Sequence, residues 1–436
     1  MMTFEQGFEQ VMAHAAITSH HELVPLANAL GRIAASTQFS VIDVPGYDNS
    51  AMDGYAVRSN DIALGEGYSV SQRIAAGEAP EALAEHSIAR IFTGAMVPAG
   101  ADAIILQEDA VVDSNSDCES ASGCDSDGKN DSEAKGDLNV SFTELPRSGQ
   151  HIRLSGQDIK KGAVVVEQGR RLTSGDIGLL ASVGIAELSC YVPVKVAFFS
   201  TGDELKDPGE TLLAGQIYNS NRYFLAARIK ELGAIPIDLG CCPDTEAATR
   251  EYLINASEQA DCIVTTGGMS VGEEDYVRQQ VESLGSILFW KLAIKPGKPV
   301  AFGEIKGTPF FGLPGNPVSS FVTFHLLMRP WLLKTMGYAD SRAVDLSTSS
   351  LGAVAAKATF DWHNRGRRLD FLRGLAAINS AGEITVDLYQ NQSSGVLSSI
   401  AQCNVLIPVQ PNQQWQAGDA CQVIALSALG EISVIS

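Results

Sequence analysis

The chain has 436 residues, of which 45% are hydrophobic and 19% charged, and its formal net charge at pH 7 is −20. This length predicts two to four domains of roughly 100–200 residues each. The negative charge argues against a general nucleic-acid-binding protein, which needs a basic surface. No apolar run approaches the roughly 18–20 residues that span a bilayer, and the polar start of the chain is unlike a signal peptide. We therefore expect a cytoplasmic protein that binds neither nucleic acid nor membrane.

The cysteines and histidines do not form a known metal motif. The eight cysteines include no C-x-x-C pair, and the seven histidines include no H-E-x-x-H arrangement. Structural zinc needs paired ligands at short spacing. The sequence therefore supports no zinc site, no disulfide framework and no histidine-based metal catalysis.

The first third of the chain predicts two helices followed by a β-rich segment. The helices are predicted over 3–17 and 25–36, and glycine-punctuated short strands continue to about residue 110. Residues 113–137 then hold eight acids, two lysines and no large apolar side chain. Such a segment cannot bury enough surface to order itself, so we expect a flexible loop. An acidic interaction tail or a calcium loop is the alternative, although the calcium-loop spacing is absent.

Strands and helices alternate regularly from residue 194 to about 337. Four apolar strands, in VKVAFFS, AIPIDLG, DCIVTT and TPFFGLPG, are separated by segments with helical spacing. Short connections between them predict a parallel sheet covered by helices on both faces. From about residue 342 short strands return, which predicts a small β-barrel or sandwich.

Four polar loops follow the predicted strands of this α/β region. Ligands of such sheets bind beyond the carboxyl ends of the strands, so we expect the four loops to converge on one cleft. They are 200–205, 241–246, 265–276 and 312–320.

The third of these loops, TTGGMSVGEEDY, could bind an oxyanion. Gly267 and Gly268 leave the backbone bare, Ser270 adds a hydroxyl, and Gly272 lets the chain turn into the next helix. Neither of the common phosphate-loop patterns is present, however. The alternative is a tight turn whose acids complement the N-terminal dipole of that helix.

Acidic residues in three of the loops predict a cation site. Glu204, Asp244 and Asp275 would point to the same edge of the sheet, where three carboxylates repel one another unless a cation joins them. Carboxylates together with phosphate oxygens are the usual surroundings of Mg²⁺. Helix capping is the alternative role for the first two of these acids.

Positive charge for an anionic ligand is concentrated in FWKLAIKPGKPV. This motif carries Lys291, Lys295 and Lys298, which could instead be solvated side chains on a surface strand. In GLPGNPVSS, Asn316 stands where a helix cap belongs and Pro317 at the first helical position. Further candidates for oxyanion binding at this helix N-terminus are Gly315, Ser319 and Ser320.

These motifs together resemble the molybdopterin molybdenumtransferases, which insert molybdate at the end of molybdenum-cofactor biosynthesis, and the similar E domain of gephyrin. The resemblance extends from about residue 28 to about 330, and more weakly to the C-terminus. Its motifs are DVPGYDNSAMDGYAVR, IFTGAMVPAGADAIILQE, FFSTGDEL, GQIYNSNRY, TTGGMSVGEEDY, FWKLAIKPGKP and GLPGNPVSS.

The resemblance implies a multidomain α/β plus β protein that forms a homodimer. Each active cleft would be shared between the α/β domain of one subunit and the inserted domain of the other. The implied parts are an elongated domain of 1–40 and 147–190, a β-rich inserted domain of 41–146, a three-layer α/β domain of 191–337 with a mostly parallel sheet, and a C-terminal β-barrel of 342–436.

The resemblance also implies the reaction and its residues. Adenylylated molybdopterin and molybdate would be the substrates, Mg²⁺ or a similar cation the cofactor, and AMP the released product. Asp244 and Asp275 are the first candidates for metal ligands and Glu204 the next, and the three lysines would hold molybdate or phosphate oxygens. The residues that match functional positions of the family are Asp53, Thr93, Asp158, Glu204, Asp244, Asp275, Pro314 and Pro317.

The acidic segment 113–137 departs from the family, for which we expect a short hairpin there; we predict that it is dispensable. Two other functions also stay open. The upstream adenylyltransferase has a related α/β domain, but the extra domains and GEEDY favour the insertion enzyme. A scaffold that binds a partner peptide would not need every acid of the cleft. The adenylyltransferase and molybdoenzyme apoproteins remain candidate partners of an insertion enzyme.

Overall fold

The computed structural model describes residues 1–113, 139–269, 276–339 and 353–427. Contacts divide the chain into two compact units. The smaller unit comprises Gln38–Val166 and Gly178–Ala186, and the larger one Met1–Thr37, Glu167–Ile177 and Glu187–Ser436. Apart from Asp113, the acidic segment lies outside the described residues. No helix in the described part of the chain has both the length and the apolar character that a membrane span requires.

The smaller unit is built on a six-stranded mixed sheet, as its β-rich sequence predicts. Each face of the sheet carries its own apolar core, one around Tyr55 and Phe142 and one around Ile74 and Leu83. In spatial order the strands are Ala103–Leu106, Gly54–Val57, Ser87–Ile91, Tyr68–Ile74, Asn139–Phe142 and Ala110–Asp113. Two short antiparallel pairs join Asn49–Ser50 to Ile152–Arg153 and Gln38–Phe39 to Val164–Val166.

The larger unit begins with the predicted first helix, Phe4–Ala13. Its N-terminus is a capping box, in which the Thr3 hydroxyl accepts from the Gln6 amide and the Gln6 side chain accepts from the Thr3 amide. The prediction of a second helix over 25–36 is wrong. His21–Pro25 is a strand paired with Glu187–Tyr191, and only one 3₁₀ turn, Leu26–Asn28, follows it. Within the predicted range, Ile33 and Ala34 form isolated bridges to Arg171 and Cys190, so tertiary pairing has overridden local helix propensity.

The α/β region contains a six-stranded sheet, of which four neighbouring strands run parallel as predicted. Two strands that the sequence did not reveal, Gly285–Phe289 and Ala301–Ile305, join by antiparallel pairing on either side of the lysine motif. In spatial order the sheet is Ile235–Cys242, Lys195–Thr201, Cys262–Thr266, Thr308–Leu313, Ala301–Ile305 and Gly285–Phe289. Leu205–Lys206 and Ile217–Tyr218 form a separate short pair.

Helices cover both faces of this sheet and bury two apolar cores. Asn219 caps the helix Ser220–Leu232, and Gly233 ends it in the left-handed conformation at φ 91°. The helix predicted to begin at Pro317 is present, but a π-helical stretch interrupts it. The helices are Ser220–Leu232, Glu246–Gln259, Tyr276–Leu284, Pro317–Thr323, the π segment Phe324–Met328 and Arg329–Thr335.

The C-terminal region is a closed five-stranded barrel, which decides between the predicted barrel and sandwich. The strand Ile294–Lys295 of the lysine motif pairs with the edge of this sheet. Around the barrel the strands are Leu369–Ile378, Ile384–Leu388, Ala353–Ala358, Ala420–Ala425 and Val405–Val409. The other short elements of the chain are helices Ser174–Ser182 and Ser398–Gln402, 3₁₀ turns Ser59–Asp61 and Gln107–Asp109, and the pair Trp362–His363 with Gln414–Trp415.

A buried polar cluster joins the π-helical stretch to the last barrel strand. His325 is 1% exposed, and its Nε2 donates to the Ala425 carbonyl oxygen at 2.7 Å. The Arg228 guanidinium donates to the Leu426 carbonyl oxygen at 3.0 Å and lies 3.4 Å from His325 Nδ1. Since Nδ1 accepts from a cation, the imidazole in this cluster is neutral. Burial, together with the charges of Arg329 and Arg228, holds the pKa of His325 well below its ordinary value.

We expect the free energy of unfolding to fall as the pH drops from about 6.5 toward 5. Below pH 6.5 the unfolded chain protonates this histidine while the folded chain does not, so protons favour unfolding. Urea denaturation across this pH range measures the slope. His325→Gln removes the titrating group, so a slope in the variant as steep as in the parent would contradict the assignment.

Candidate functional site

A cavity of about 670 Å³ lies in the larger unit at the carboxyl ends of the parallel strands, and all four predicted loops contribute to it. The loops meet there because strands that end at Thr201, Cys242, Thr266 and Leu313 lie side by side in one sheet. The lining residues are Thr201, Gly202, Glu204, Leu205, Ile217, Asn221, Asp244, Thr266, Gly267, Gly268, Met269, Lys291, Lys298, Pro299, Pro314, Gly315, Asn316 and Pro317.

The two glycines after the third strand have no room for a side chain. Gly267 has φ 92°, and a Cβ there would lie 2.6 Å from the Thr201 carbonyl oxygen. At Gly268, with φ 61°, a Cβ would lie 2.5 Å from Val277 Cγ2. The Gly267 amide already donates to the Leu313 carbonyl oxygen at 3.2 Å, so it is not a donor for a ligand. Gly267 therefore shapes the cavity rather than binding through its N–H.

Hydroxyl and amide groups connect the strand ends below the cavity. The Ser200 hydroxyl lies 2.9 Å from Thr266 Oγ1 and donates to Asn219 Oδ1 at 3.2 Å. Asn221, which lines the cavity, donates from Nδ2 to the Gly315 carbonyl oxygen at 2.8 Å. This bond connects the fourth loop to the helix Ser220–Leu232. Asn221 is not among the residues predicted from the sequence, although it lies in the polar run YNSN at the start of the helix Ser220–Leu232.

The acidic wall of the cavity is formed by Glu204 and Asp244. Gly202 makes room for the Glu204 carboxylate, which lies 2.5 Å from where a Cβ of residue 202 would be. Thr245, not Asp244, caps the following helix, since the Thr245 hydroxyl accepts from the Ala248 amide. Capping therefore does not account for Asp244.

The acidic side chains of this wall affect the pKa of the Cys241 thiol. Burial raises the pKa of the Cys241 thiol, and the nearby negative charges of Asp244, Glu204 and Asp203 raise it further. Carboxylate oxygens are the ligands that hard cations such as Mg²⁺ select, and Glu204 and Asp244 offer two such groups. Among the described residues no group of three or more potential metal-ligating side chains occurs. Asp275, Ser270 and Gly272 lie outside the described residues.

Lys291 and Lys298 line the cavity, but Lys295 does not. The Lys295 ammonium instead lies 3.3 Å from Asp370 Oδ2 on the barrel. Asp370 is 4% exposed at its side chain, and its burial raises the pKa of its carboxyl against the lowering effect of Lys295. The three lysines that the sequence groups together are thus divided by the fold into two ligand-facing cations and one ion-paired cation.

The fourth loop supplies Pro314, Gly315, Asn316 and Pro317 to the cavity. Asn316 begins the helix without a side-chain hydrogen bond to it, so its amide is not engaged in capping. Ser319 is buried and does not line the cavity.

The smaller unit holds the remaining predicted residues. Asp53 Oδ1 accepts from the Thr93 amide at 2.7 Å and from the Thr93 hydroxyl at 2.8 Å. These two bonds, with a smaller effect of Arg90, lower the pKa of Asp53. Asp158 is exposed, and its amide donates to the Val44 carbonyl oxygen at 3.0 Å.

Comparison with known proteins covers almost the whole chain. Three family models match successive parts of the chain. They are the MoeA N-terminal region (domain I and II) over 2–184, a probable molybdopterin binding domain over 197–334, and the MoeA C-terminal region (domain IV) over 355–426. The molybdopterin molybdenumtransferase of Haemophilus influenzae is 39% identical over 411 residues, which are 94% of this chain and 95% of that relative. The chain belongs to the molybdopterin molybdenumtransferase family.

More distant members support the same membership. The molybdopterin molybdenumtransferase of a Nostoc species is 33% identical, covering 88% of this chain and 84% of the relative. A crystal structure of the molybdopterin biosynthesis MoeA protein from Pyrococcus horikoshii superposes with a TM-score of 0.77 at 30% identity, over 98% of this chain and 99% of that one. The architecture described above is thus the one found in this family.

Proposed function

We propose that the cavity binds adenylylated molybdopterin and that molybdate is inserted into the pterin dithiolene there, with cleavage of the phosphoanhydride and release of AMP. As a member of this family the chain is a transferase of molybdenum-cofactor biosynthesis. The observation that supports the site is the meeting of Glu204 and Asp244 with Lys291 and Lys298 in one cavity. Anionic substrates need positively charged side chains, a bound cation needs negatively charged ones, and the cavity offers both.

The residues of the cavity have separate tasks in this proposal. Lys291 and Lys298 neutralise phosphate or molybdate oxygens on one wall. Asn221 positions the fourth loop through Gly315, so that the substrate meets a preformed surface. None of these roles needs a side-chain nucleophile.

The acidic wall would hold Mg²⁺ through Glu204 and Asp244, joined by Asp275. When bound, this ion supplies neutralising charge to the phosphoanhydride as it is cleaved. The two carboxylates keep that charge at the carboxyl ends of the strands. We also propose that the protein is located in the cytoplasm.

We also propose a homodimer and the four-part domain organisation expected above. The resemblance to the family supports both, since it assigns Asp53 and Thr93 to the cleft of the other subunit. Light scattering tests the dimer, for which the mass is twice the 46.2 kDa of one chain; a monomeric mass at working concentration would contradict it.

Purified protein should release AMP from adenylylated molybdopterin only when molybdate is present. Chelation with EDTA should abolish the release, and Mg²⁺ should restore it, because the acidic wall would be left without its cation. Release of AMP that is independent of molybdate would contradict insertion. Formation of adenylylated molybdopterin from ATP would indicate the adenylyltransferase instead.

A further inference from the structure

Two arginines lie side by side on the sheet of the smaller unit. Arg73 and Arg90 are register partners in the parallel strands Tyr68–Ile74 and Ser87–Ile91. Both guanidinium groups contact the ring of Phe92, with Cζ-to-centroid distances of 4.5 Å for Arg73 and 4.8 Å for Arg90. Cation–π contact holds each guanidinium in place without neutralising its charge.

No carboxylate among the described residues forms a direct ion pair with these two arginines. Among the described residues neither Arg73 nor Arg90 forms an ion pair, although the chain has 51 acidic side chains against 31 basic ones. Like charges directly opposite each other on neighbouring strands are destabilising. An anion between them would relieve this repulsion.

Arg90 is held rigidly and still has donors to spare. Its Nη1 donates to the Gly54 carbonyl oxygen at 2.9 Å and its Nη2 to Gln107 Oε1 at 2.5 Å. A guanidinium carries five N–H donors, so three remain. The Arg73 side chain is exposed and makes no hydrogen bond within the described residues. The pair therefore presents a set of N–H donors whose positions are partly preformed.

An ionised carboxylate belongs to the same cluster. The Gln107 amide donates to the Asp53 carbonyl oxygen at 3.2 Å, and Arg90 binds the next carbonyl along the chain, that of Gly54. Asp53 accepts both of its side-chain hydrogen bonds on Oδ1. The cluster thus offers donors for an oxyanion beside an acceptor for an N–H or O–H group.

We propose that Arg73 and Arg90 form an oxyanion-binding site that holds one tetrahedral group of the substrates. This inference rests on the proposed function, which supplies two sources of that chemistry: a phosphoryl group of the pterin nucleotide, and molybdate. Planar guanidinium forks bind tetrahedral oxyanions through paired N–H groups.

Calorimetric titration of the full-length protein with AMP and, separately, with sodium molybdate tests the site. Arg73→Ala should raise the Kd of one of these ligands about 10-fold or more, the loss expected for a charge-assisted hydrogen bond. Weaker binding of AMP alone identifies the phosphoryl group, and weaker binding of molybdate alone identifies molybdate. Arg73→Lys should give an intermediate Kd, because the charge stays while the fork is lost.

Arg153→Ala is the matched control, since it removes an exposed arginine from the same unit. The proposal is overturned if Arg73→Ala changes both Kd values by less than about twofold, or no more than the control does. The same titrations of Arg90→Gln provide a second test of the site. If Arg90→Gln lowers the unfolding temperature, the result for Arg73→Ala alone decides the proposal. These titrations involve no turnover, so they can fail while molybdate-dependent AMP release by the parent protein still stands.

Discussion

Asp244→Asn should reduce molybdate-dependent AMP release by about 100- to 1,000-fold while the protein stays folded, the range seen when one preorganised charge-stabilising group is removed. The amide is nearly the same size as the carboxylate but carries no charge, so the acidic wall loses half of its described negative charge. Glu204→Gln should act in the same direction. Initial rates at saturating molybdate, with Mg²⁺ varied, measure the effect, and a raised Mg²⁺ requirement would assign it to the cation.

Glu251→Gln provides the control for this experiment. Glu251 is exposed on the helix Glu246–Gln259 and does not line the cavity, so neutralising it changes the net charge equally without touching the site. Equal losses in Glu251→Gln and Asp244→Asn would trace the effect to overall charge. An unchanged rate in Asp244→Asn would remove this residue from the proposed machinery.

Gly267→Ala should lower the free energy of unfolding by about 2–6 kcal/mol and abolish activity. The new Cβ would lie 2.6 Å from the Thr201 carbonyl oxygen, at a φ of 92° that L side chains rarely adopt. Overpacking costs about 1–3 kcal/mol and the strained backbone about 1–3 kcal/mol more. Relief of the contact must move the strand ends that form the cavity floor. Urea denaturation measures the loss of stability, and AMP release the loss of activity.

Gly240→Ala separates backbone strain from the steric clash. Gly240 has a similar φ of 84° in the same region, but a Cβ there would meet no atom within 4 Å. Gly240→Ala should therefore lower the free energy of unfolding only through backbone strain, by about 1–3 kcal/mol, and leave activity intact. Equal effects of the two substitutions would show that the clash with Thr201 contributes nothing.

The lysine motif shows where prediction from local sequence ends. Spacing grouped Lys291, Lys295 and Lys298 as one cluster, since all three follow one another on a proline-restrained segment. In the structure Ile294–Lys295 pairs with the barrel edge, and this pairing directs Lys295 to Asp370. The partner strand lies 75 residues further along the chain, so no local pattern could reveal it.

The helix predicted over 25–36 failed for a related reason. Its residues have adequate helix propensity, but Ile33 and Ala34 form bridges to Arg171 and Cys190, and the Ala35 amide donates to the Ser189 carbonyl oxygen. Propensity differences of less than about 1 kcal/mol per residue are overridden by such long-range pairing. The prediction of the helix Phe4–Ala13 is confirmed because its capping box and apolar face depend only on residues 3–13.

Local chemistry by itself determined the strand–helix alternation, the helix caps and the polar loops at the carboxyl ends of the strands, because each depends on residues a few positions apart. Only the tertiary structure decided which loop residues share one cavity, since that depends on strand order. It turned the Gly267 amide toward Leu313, brought in Asn221, diverted Lys295 and placed Arg73 beside Arg90 on neighbouring strands. The physical reason is that sheet pairing joins residues far apart in sequence, and those pairings set the direction of each side chain.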